Sequence, residues 1–275
     1  MSAVSEQTEI LVPGPAQALG ALLDVPVPDL DGGAGLPLLW HWIYLLERPA
    51  QADLGPDGHP VRGTIPAPPE PGRRRMWAGG RVRASAPLRC GEPATRRSRV
   101  QSVEHKQGRS GPLTFCVVHH QIRQRGRVVI DELQDLVYRA AVSPAGQAAD
   151  AWEGAEIPPA EGERAIEVSP TLLFRFSALT YNAHRIHYDA DYATGVEGHP
   201  GLVVHGPLLA LLCFELPRRQ APRQRVTQLS FRARSPVYVG QRCTVTGGPR
   251  DDGCAMQVAG PDGAVALTAE GRLSA

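Results

Sequence analysis

The chain has 275 residues and a net charge of +1, from 29 Lys and Arg against 28 Asp and Glu. That length suits one large domain or two small ones, and the balanced charge aims no global field at nucleic acid or a membrane surface. Five scattered cysteines without a C-x-x-C pair, and no run near the roughly 20 apolar residues of a membrane span, point to free thiols in a reducing cytoplasm.

The opening stretch, MSAVSEQTEILVPGPAQ, has acids where an export signal has basic residues and lacks a continuous apolar core; no signal is expected. Leu36 to Glu47 (LPLLWHWIYLLE) is apolar nearly all round and predicts a buried helix. Residues 49–75 are rich in Pro and Gly and predict a loop that ends in the basic run Arg73-Arg74-Arg75, either a solvated face or a phosphate-holding patch. Strand-like runs follow at Thr114 to Ile122, Arg127 to Ile130 and Leu133 to Tyr138. His119 and His120 alternate faces of such a strand and are read as structural. Val142 to Gly162 is polar and rich in Ala, Gly and Pro, which suits a linker.

After it, Ser169-Pro170 predicts an N-cap with Pro in the first turn, opening a helix that ends near Tyr181-Asn182. A short turn is expected over Asp191 to Thr194 and a second apolar helix over Pro207 to Leu216. Strand-like runs then resume from Val226 to Leu273. One detail ties the halves together. Residues 83–92 (RASAPLRCGE) lie over 232–241 (RARSPVYVGQ), with Pro87 on Pro236 and Gly91 on Gly240. Strand-like runs follow both copies, so two versions of one helix-plus-antiparallel-strands unit are expected, 1–145 and 163–275, paired through a continuous sheet.

The densest chemistry lies in 182–212, NAHRIHYDADYATGVEGHPGLVVHGPLLALL, which holds four of the nine histidines. His187 is either an acid–base group or a structural imidazole bound to a carbonyl. His184 and His187 have H-x-x-H spacing, and His199, His205 and Asp189 follow, but no familiar metal spacing results and no metal is expected. Gly206-Pro207 fits a helix start. Its free N–H groups favour negative charge, so Gly206 is either an oxyanion donor or a plain turn glycine.

The stretch FSALTYNAHRIHYDADYATGVEGHPGLVVHGPLLALL resembles the hydratase motif of the MaoC-like, (R)-specific enoyl-thioester hydratase/dehydratase family. The match is closest to the branch with mesaconyl-CoA and itaconyl-CoA hydratases and the mitochondrial 3-hydroxyacyl-thioester dehydratase. MWAGGRVRASAPLRCGE, HKQGRSGPLTFCVVHHQI and IDELQDLVYR resemble that branch's N-terminal dehydratase domain. The resemblance implies an α+β double hotdog, two helix-wrapped antiparallel sheets forming a pseudo-dimer. It implies hydration and dehydration of an enoyl-CoA, with acyl-CoA as partner, no cofactor, and a homo-oligomer or pseudo-dimeric monomer. It places His187 as catalytic imidazole, Gly206 as oxyanion donor and Asn182 where the wider family has an aspartate. An amide accepts no proton at neutral pH, so Asn182 would position water and His187 would activate it. Tyr181, His184, Arg185 and His205 are the expected substrate-binding residues. Arg185 would hold a second carboxylate of a dicarboxylic acyl group or pair with Asp189 or Asp191. The first unit lacks an Asn/Asp-x4-His pattern before its apolar helix, so it is expected to be catalytically silent and to shape the acyl tunnel. A thioesterase on the same fold and a non-catalytic acyl-CoA-binding protein are the alternatives.

Overall fold

The structure, a computed structural model, describes residues 4–31, 33–66, 68, 73–108, 111–140, 163–251 and 253–274. The first half contributes β1 (Val4–Ile10), α1 (Pro13–Leu23), β2 (Arg73–Ala84), β3 (Pro93–Gly108), β4 (Gly111–Gln124) and β5 (Arg127–Ala140). The second contributes β6 (Arg164–Glu167), α2 (Pro170–Thr180), α3 (Gly206–Gln220), β7 (Arg225–Ala233), β8 (Arg242–Arg250), β9 (Gly253–Ala259) and β10 (Val265–Ser274). All ten strands form one antiparallel sheet in the order β1-β3-β4-β5-β2-β7-β10-β9-β8-β6. The halves meet where Gly79–Arg83 of β2 pairs with Gln228–Arg232 of β7.

Outward from that seam the strands run β2-β5-β4-β3-β1 on one side and β7-β10-β9-β8-β6 on the other, the same connectivity twice. The short repeat lies at equivalent places in both copies. Gly91 and Gly240 both hold left-handed backbone, at φ 81° and 82°, where glycine carries no side-chain penalty. Leu88 O accepts the Leu36 N–H at 2.7 Å, and Val237 O accepts that of Val204 at 2.8 Å. The expected linker, Val142 to Gly162, lies outside the described residues.

The halves differ in the segment that covers the sheet. α3 forms as expected, with Pro207 in its first turn, and Leu208 to Pro217 are buried all round. It packs against β7 to β10 and β2. The helix expected over Leu36 to Glu47 does not form. Trp40–Ile43 makes one 3-10 turn, flanked by Leu39 and Leu45 at positive φ. The side chains explain this. Trp40 Nε1 donates to Glu215 Oε1 and Trp42 Nε1 to Glu132 Oε1, both at 2.8 Å, while His41 Nε2 lies 2.8 Å from Glu132 Oε2. Three consecutive side chains reach two acids on different elements, which a regular helix cannot arrange. β1 and α1 had only faint sequence signals. In α1, two prolines and Gly20 interrupt the apolar pattern, and Gly20 lets Val27 pack where a side chain would stand. Leu19, Leu22 and Leu23 join Trp40, Phe176 and Leu208 to Leu212 in one core shared by both halves.

Glu132 is a buried carboxylate. Burial alone would raise its pKa, but the hydrogen bond and charge of His41 outweigh burial and hold it down to about 2. Its folded pKa therefore lies below an unfolded value of roughly 4.3, so its stabilising contribution is complete above that value and is lost as pH falls toward 2. Glu132→Ala leaves the His41 and Trp42 donors facing no acceptor. It is expected to cost about 3–5 kcal/mol in urea denaturation at neutral pH, and less near pH 2.

Candidate functional site

α2 opens as the sequence predicts: the Ser169 hydroxyl accepts the Leu172 N–H at 3.2 Å. It stops at Tyr181, in left-handed backbone at φ 53°. Asn182 then turns the chain, its N–H donating to Ser177 O at 2.9 Å and its side-chain Oδ1 accepting the His184 N–H at 3.0 Å. A 3-10 turn over Arg185–His187 and a π-helical turn over Tyr192–Val196 follow, where only a short turn over Asp191 to Thr194 was expected.

These turns bring His187 against the start of α3. The His187 ring is buried and its Nδ1 lies 2.7 Å from Val203 O. A carbonyl only accepts, so Nδ1 carries the proton and Nε2 presents a lone pair. On one face His187 stacks on His205, with centroids 3.6 Å apart and planes 19° apart. His205 sits directly before Gly206, and its Nε2 lies 2.9 Å from the Ser177 hydroxyl. On the other side His184 meets His187 edge-on at 5.3 Å. His59, from the first half, stacks on His184 at 4.0 Å. The rings form a row: His59, His184, His187, His205.

Burial keeps this row neutral. It lowers His187 to about 4, against the pull of the Val203 carbonyl, and His184 to about 2, with His59 and His187 adding to the drop. It takes His205 well below the usual imidazole range and lowers His59 despite the neighbouring Asp57. Asp57 moves the other way. Burial, the largest single effect, would raise it, but the hydrogen bonds and charge of His59, with His184, together outweigh it and hold the pKa at about 2. Asp57, His59 and His184 place possible ligand atoms within 4.8 Å of one another. The Asp57 and His59 atoms are already bonded to each other at 2.9 Å, making this a hydrogen-bonded set rather than a preformed metal cradle.

Gly206 is the first residue of α3, with helical rather than left-handed backbone. Its first N–H groups have no acceptor within the helix. A side chain at 206 would overlap the Trp77 ring, itself stacked on Phe231 at 5.2 Å. Glycine is therefore required by packing across the two halves. Arg185 is committed to Asp189, at 2.7 and 3.0 Å, lies over the Tyr192 ring and donates to Pro56 O at 3.0 Å. It takes the ion-pair option rather than standing free for a substrate carboxylate. Tyr181 is exposed on the outside of its turn, and His205 is held at Nε2 by Ser177 while its Nδ1 is buried without a hydrogen-bond partner. His199 lies apart, 3.8 Å from Glu197.

Within the basic run, Arg74 and Arg75 are engaged by the protein itself. Arg74 pairs with Glu197 at 3.1 Å and also donates to its carbonyl. Arg75 turns inward to Pro66 O and the Tyr138 ring. Asp57, His59 and Trp77 are residues around the site that the sequence reading missed, and Arg75 was singled out only as part of the basic run. The one signal for Asp57 and His59 was a long Pro/Gly loop, which docks against Ala183 and Arg185; Arg75 and Trp77 lie on β2.

Residues 39–239 match a family model described as hydroxyacyl-thioester dehydratase type 2. The chain is 45% identical over 256 residues to mesaconyl-C(4)-CoA hydratase of Chloroflexus aurantiacus, covering 92% of this chain and 89% of that protein. Among solved structures, HtdX of Mycobacterium tuberculosis superposes with a TM-score of 0.68 at 15% identity, covering 98% and 99% of the two chains. Another protein of that organism, described as having a double hotdog fold, superposes at 0.62 with 16% identity, covering 99% and 96%. At such identities these two structures speak to fold alone, and the fold is the double hotdog.

The docked loop depends on Gly58. It holds φ 87°, and a side chain there would run into the Ala183 carbonyl. Gly58→Ala is expected to cost about 1–3 kcal/mol of stability from backbone strain and overlap, read as a lower urea midpoint with unchanged slope. A midpoint equal to wild type would show that the loop does not lie against Ala183.

Proposed function

The chain belongs to the hydroxyacyl-thioester dehydratase type 2 family, and from that membership and the histidine row we propose that it reversibly adds water to an enoyl-CoA whose acyl group is a branched, four- or five-carbon dicarboxylic unit such as mesaconyl. The enzyme is a hydratase/dehydratase of acyl-CoA thioesters. The observation that carries the reading is the Nδ1 contact of His187 with Val203 O, which leaves Nε2 as a lone-pair acceptor in a buried site one residue from the start of α3.

Water attack at the β-carbon pushes the double-bond electrons toward the α-carbon and the thioester oxygen. The N–H at Gly206 stabilises the charge on that oxygen. His187 Nε2 takes one water proton as the new C–O bond forms, then returns it to the α-carbon; the other proton stays on the new hydroxyl. Asn182, its Oδ1 already engaged, positions the water through its NH2 group. His184 fills the space between His187 and the first-half loop. In this reading 1–145 and 163–275 are the two hotdog units, and the chain works as its own pseudo-dimer or as a homodimer. The five unpaired thiols fit a cytoplasmic setting. Among the described residues no helix is long and apolar enough to cross a membrane.

Hydration removes the enoyl absorbance and keeps the thioester, whereas a thioesterase releases the CoA thiol. The expected result is absorbance loss without thiol release, abolishing both the thioesterase and the non-catalytic readings. His187→Ala is expected to lower kcat about 100-fold or more while the chain stays folded; normal turnover would remove His187 from the mechanism.

The pH profile tests the same group. A general base works as neutral imidazole, and His187 is lowered to about 4 by burial, with the charges of His59 and His199 acting on it and the His184 ring edge-on beside it. The acidic limb of kcat/KM is therefore expected well below the ordinary value of about 6.5. Half-loss of activity near pH 6.5 would contradict the buried, neutral row.

A further inference from the structure

A dicarboxylic acyl group brings a second negative charge into the site, and the residue first expected to meet it, Arg185, is bound to Asp189. We propose that Arg75 binds the free carboxylate of the substrate and selects dicarboxylic over monocarboxylic enoyl-CoAs; this rests on the hydratase reading.

Three observations converge on Arg75. It lies on β2 two residues before Trp77, hence on the same strand face and roughly 7 Å along it. Trp77 is the residue packed against Gly206, where the thioester oxygen is expected. A four- or five-carbon acyl unit has about that reach. Second, Arg75 Nε is buried with no hydrogen-bond partner. The guanidinium instead meets the Pro66 carbonyl, which accepts from Nη2 at 3.1 Å, and the Tyr138 ring, 5.8 Å from the guanidinium carbon. A buried guanidinium N–H without an acceptor costs stability unless something else supplies one, and a carboxylate is the acceptor whose geometry fits the guanidinium fork. Third, no carboxylate of the described residues forms an ion pair with Arg75, unlike neighbouring Arg74, which is held by Glu197. The nearby acid, Asp57, is engaged by His59 at 2.9 Å. Arg75 also acts electrostatically on His59 and His184, which places its charge beside the histidine row.

The surroundings suit a small branched unit. Tyr138, against Arg75, belongs to a small apolar cluster with Cys116, Val118 and Leu136, and Trp77 joins it to the main core. In that setting a carboxylate gains little from water, so its pairing with Arg75 decides affinity. The first half then does more than shape a tunnel: it reads the acyl group while the second half supplies the acid–base and oxyanion groups.

The test compares mesaconyl-C4-CoA with crotonyl-CoA, which lacks the second carboxylate, by loss of enoyl absorbance. Wild type is expected to favour the dicarboxylic substrate in kcat/KM. Arg75→Met, close in length and neutral, is expected to lower kcat/KM for mesaconyl-C4-CoA about 100-fold or more and to leave crotonyl-CoA within about threefold, which also reports that the variant is folded. Arg75→Lys, with charge but no fork, is expected to fall between. Equal losses on both substrates, or none on either, would overturn the Arg75 site and leave hydration standing. A wild type that hydrates neither substrate overturns the hydration reading, and the Arg75 site falls with it.

Discussion

Four imidazoles can share one buried row only if they are neutral. A charged ring at His184 or His187 would sit among the others with little water to screen it, and the pKa of each is driven down accordingly. That constraint orders the rest of the site. Neutral His187 donates through Nδ1 to Val203 and keeps Nε2 basic. Neutral His205 can stack flat on it at 3.6 Å and meet Ser177 beyond. The one carboxylate touching the row, Asp57, meets it at the His59 end, where the side chain keeps 20% of its surface exposed. Charge is thus admitted at the open end and excluded from the interior.

The repeat explains how such a row can be assembled. Both copies build the same strand order out from the β2–β7 seam, but one keeps a full helix against the sheet and the other a single 3-10 turn. The space left by the missing helix is taken by irregular chain. That chain carries Asp57 and His59 to the second half's turns, and the strand that follows carries Arg75 and Trp77. Trp77 occupies the side-chain space of Gly206. The α3 start is therefore shaped by both copies, and neither half alone would make the site.

The buried acids of the core follow the same logic. Glu132 and Glu215 are fully enclosed, and each is held by donors from the degenerate segment at Trp40 to Trp42. Glu215 also accepts from Arg218 at 2.7 Å. Buried charge of this kind adds little net stability but penalises every arrangement that leaves it unpaired. It selects the 3-10 turn over the helix that local apolarity favours.

Local sequence determined much of this protein. The Ser169-Pro170 cap, the helix behind Gly206-Pro207, the second-half strands and the repeat with its two turn glycines are short-range signals, set by capping, φ preference and period. The hydratase-like stretch from Asn182 to Leu212 marked the segment that holds His184, His187 and His205. Tertiary structure alone decided the rest. Leu36 to Glu47 reads as a helix until distant Glu132 and Glu215 claim its aromatic N–H groups. Arg185 reads equally as a substrate-carboxylate ligand or an ion-pair partner until the fold sets it against Asp189, the Tyr192 ring and Pro56 O. Asp57, His59, Arg75 and Trp77 lie in or beside a Pro/Gly loop with no periodicity, so nothing local says where they point. Asp57, His59 and Trp77 are placed by Arg185, His184 and Gly206, more than 100 places away, and Arg75 by Pro66 and Tyr138; such contacts exist only once the chain has folded.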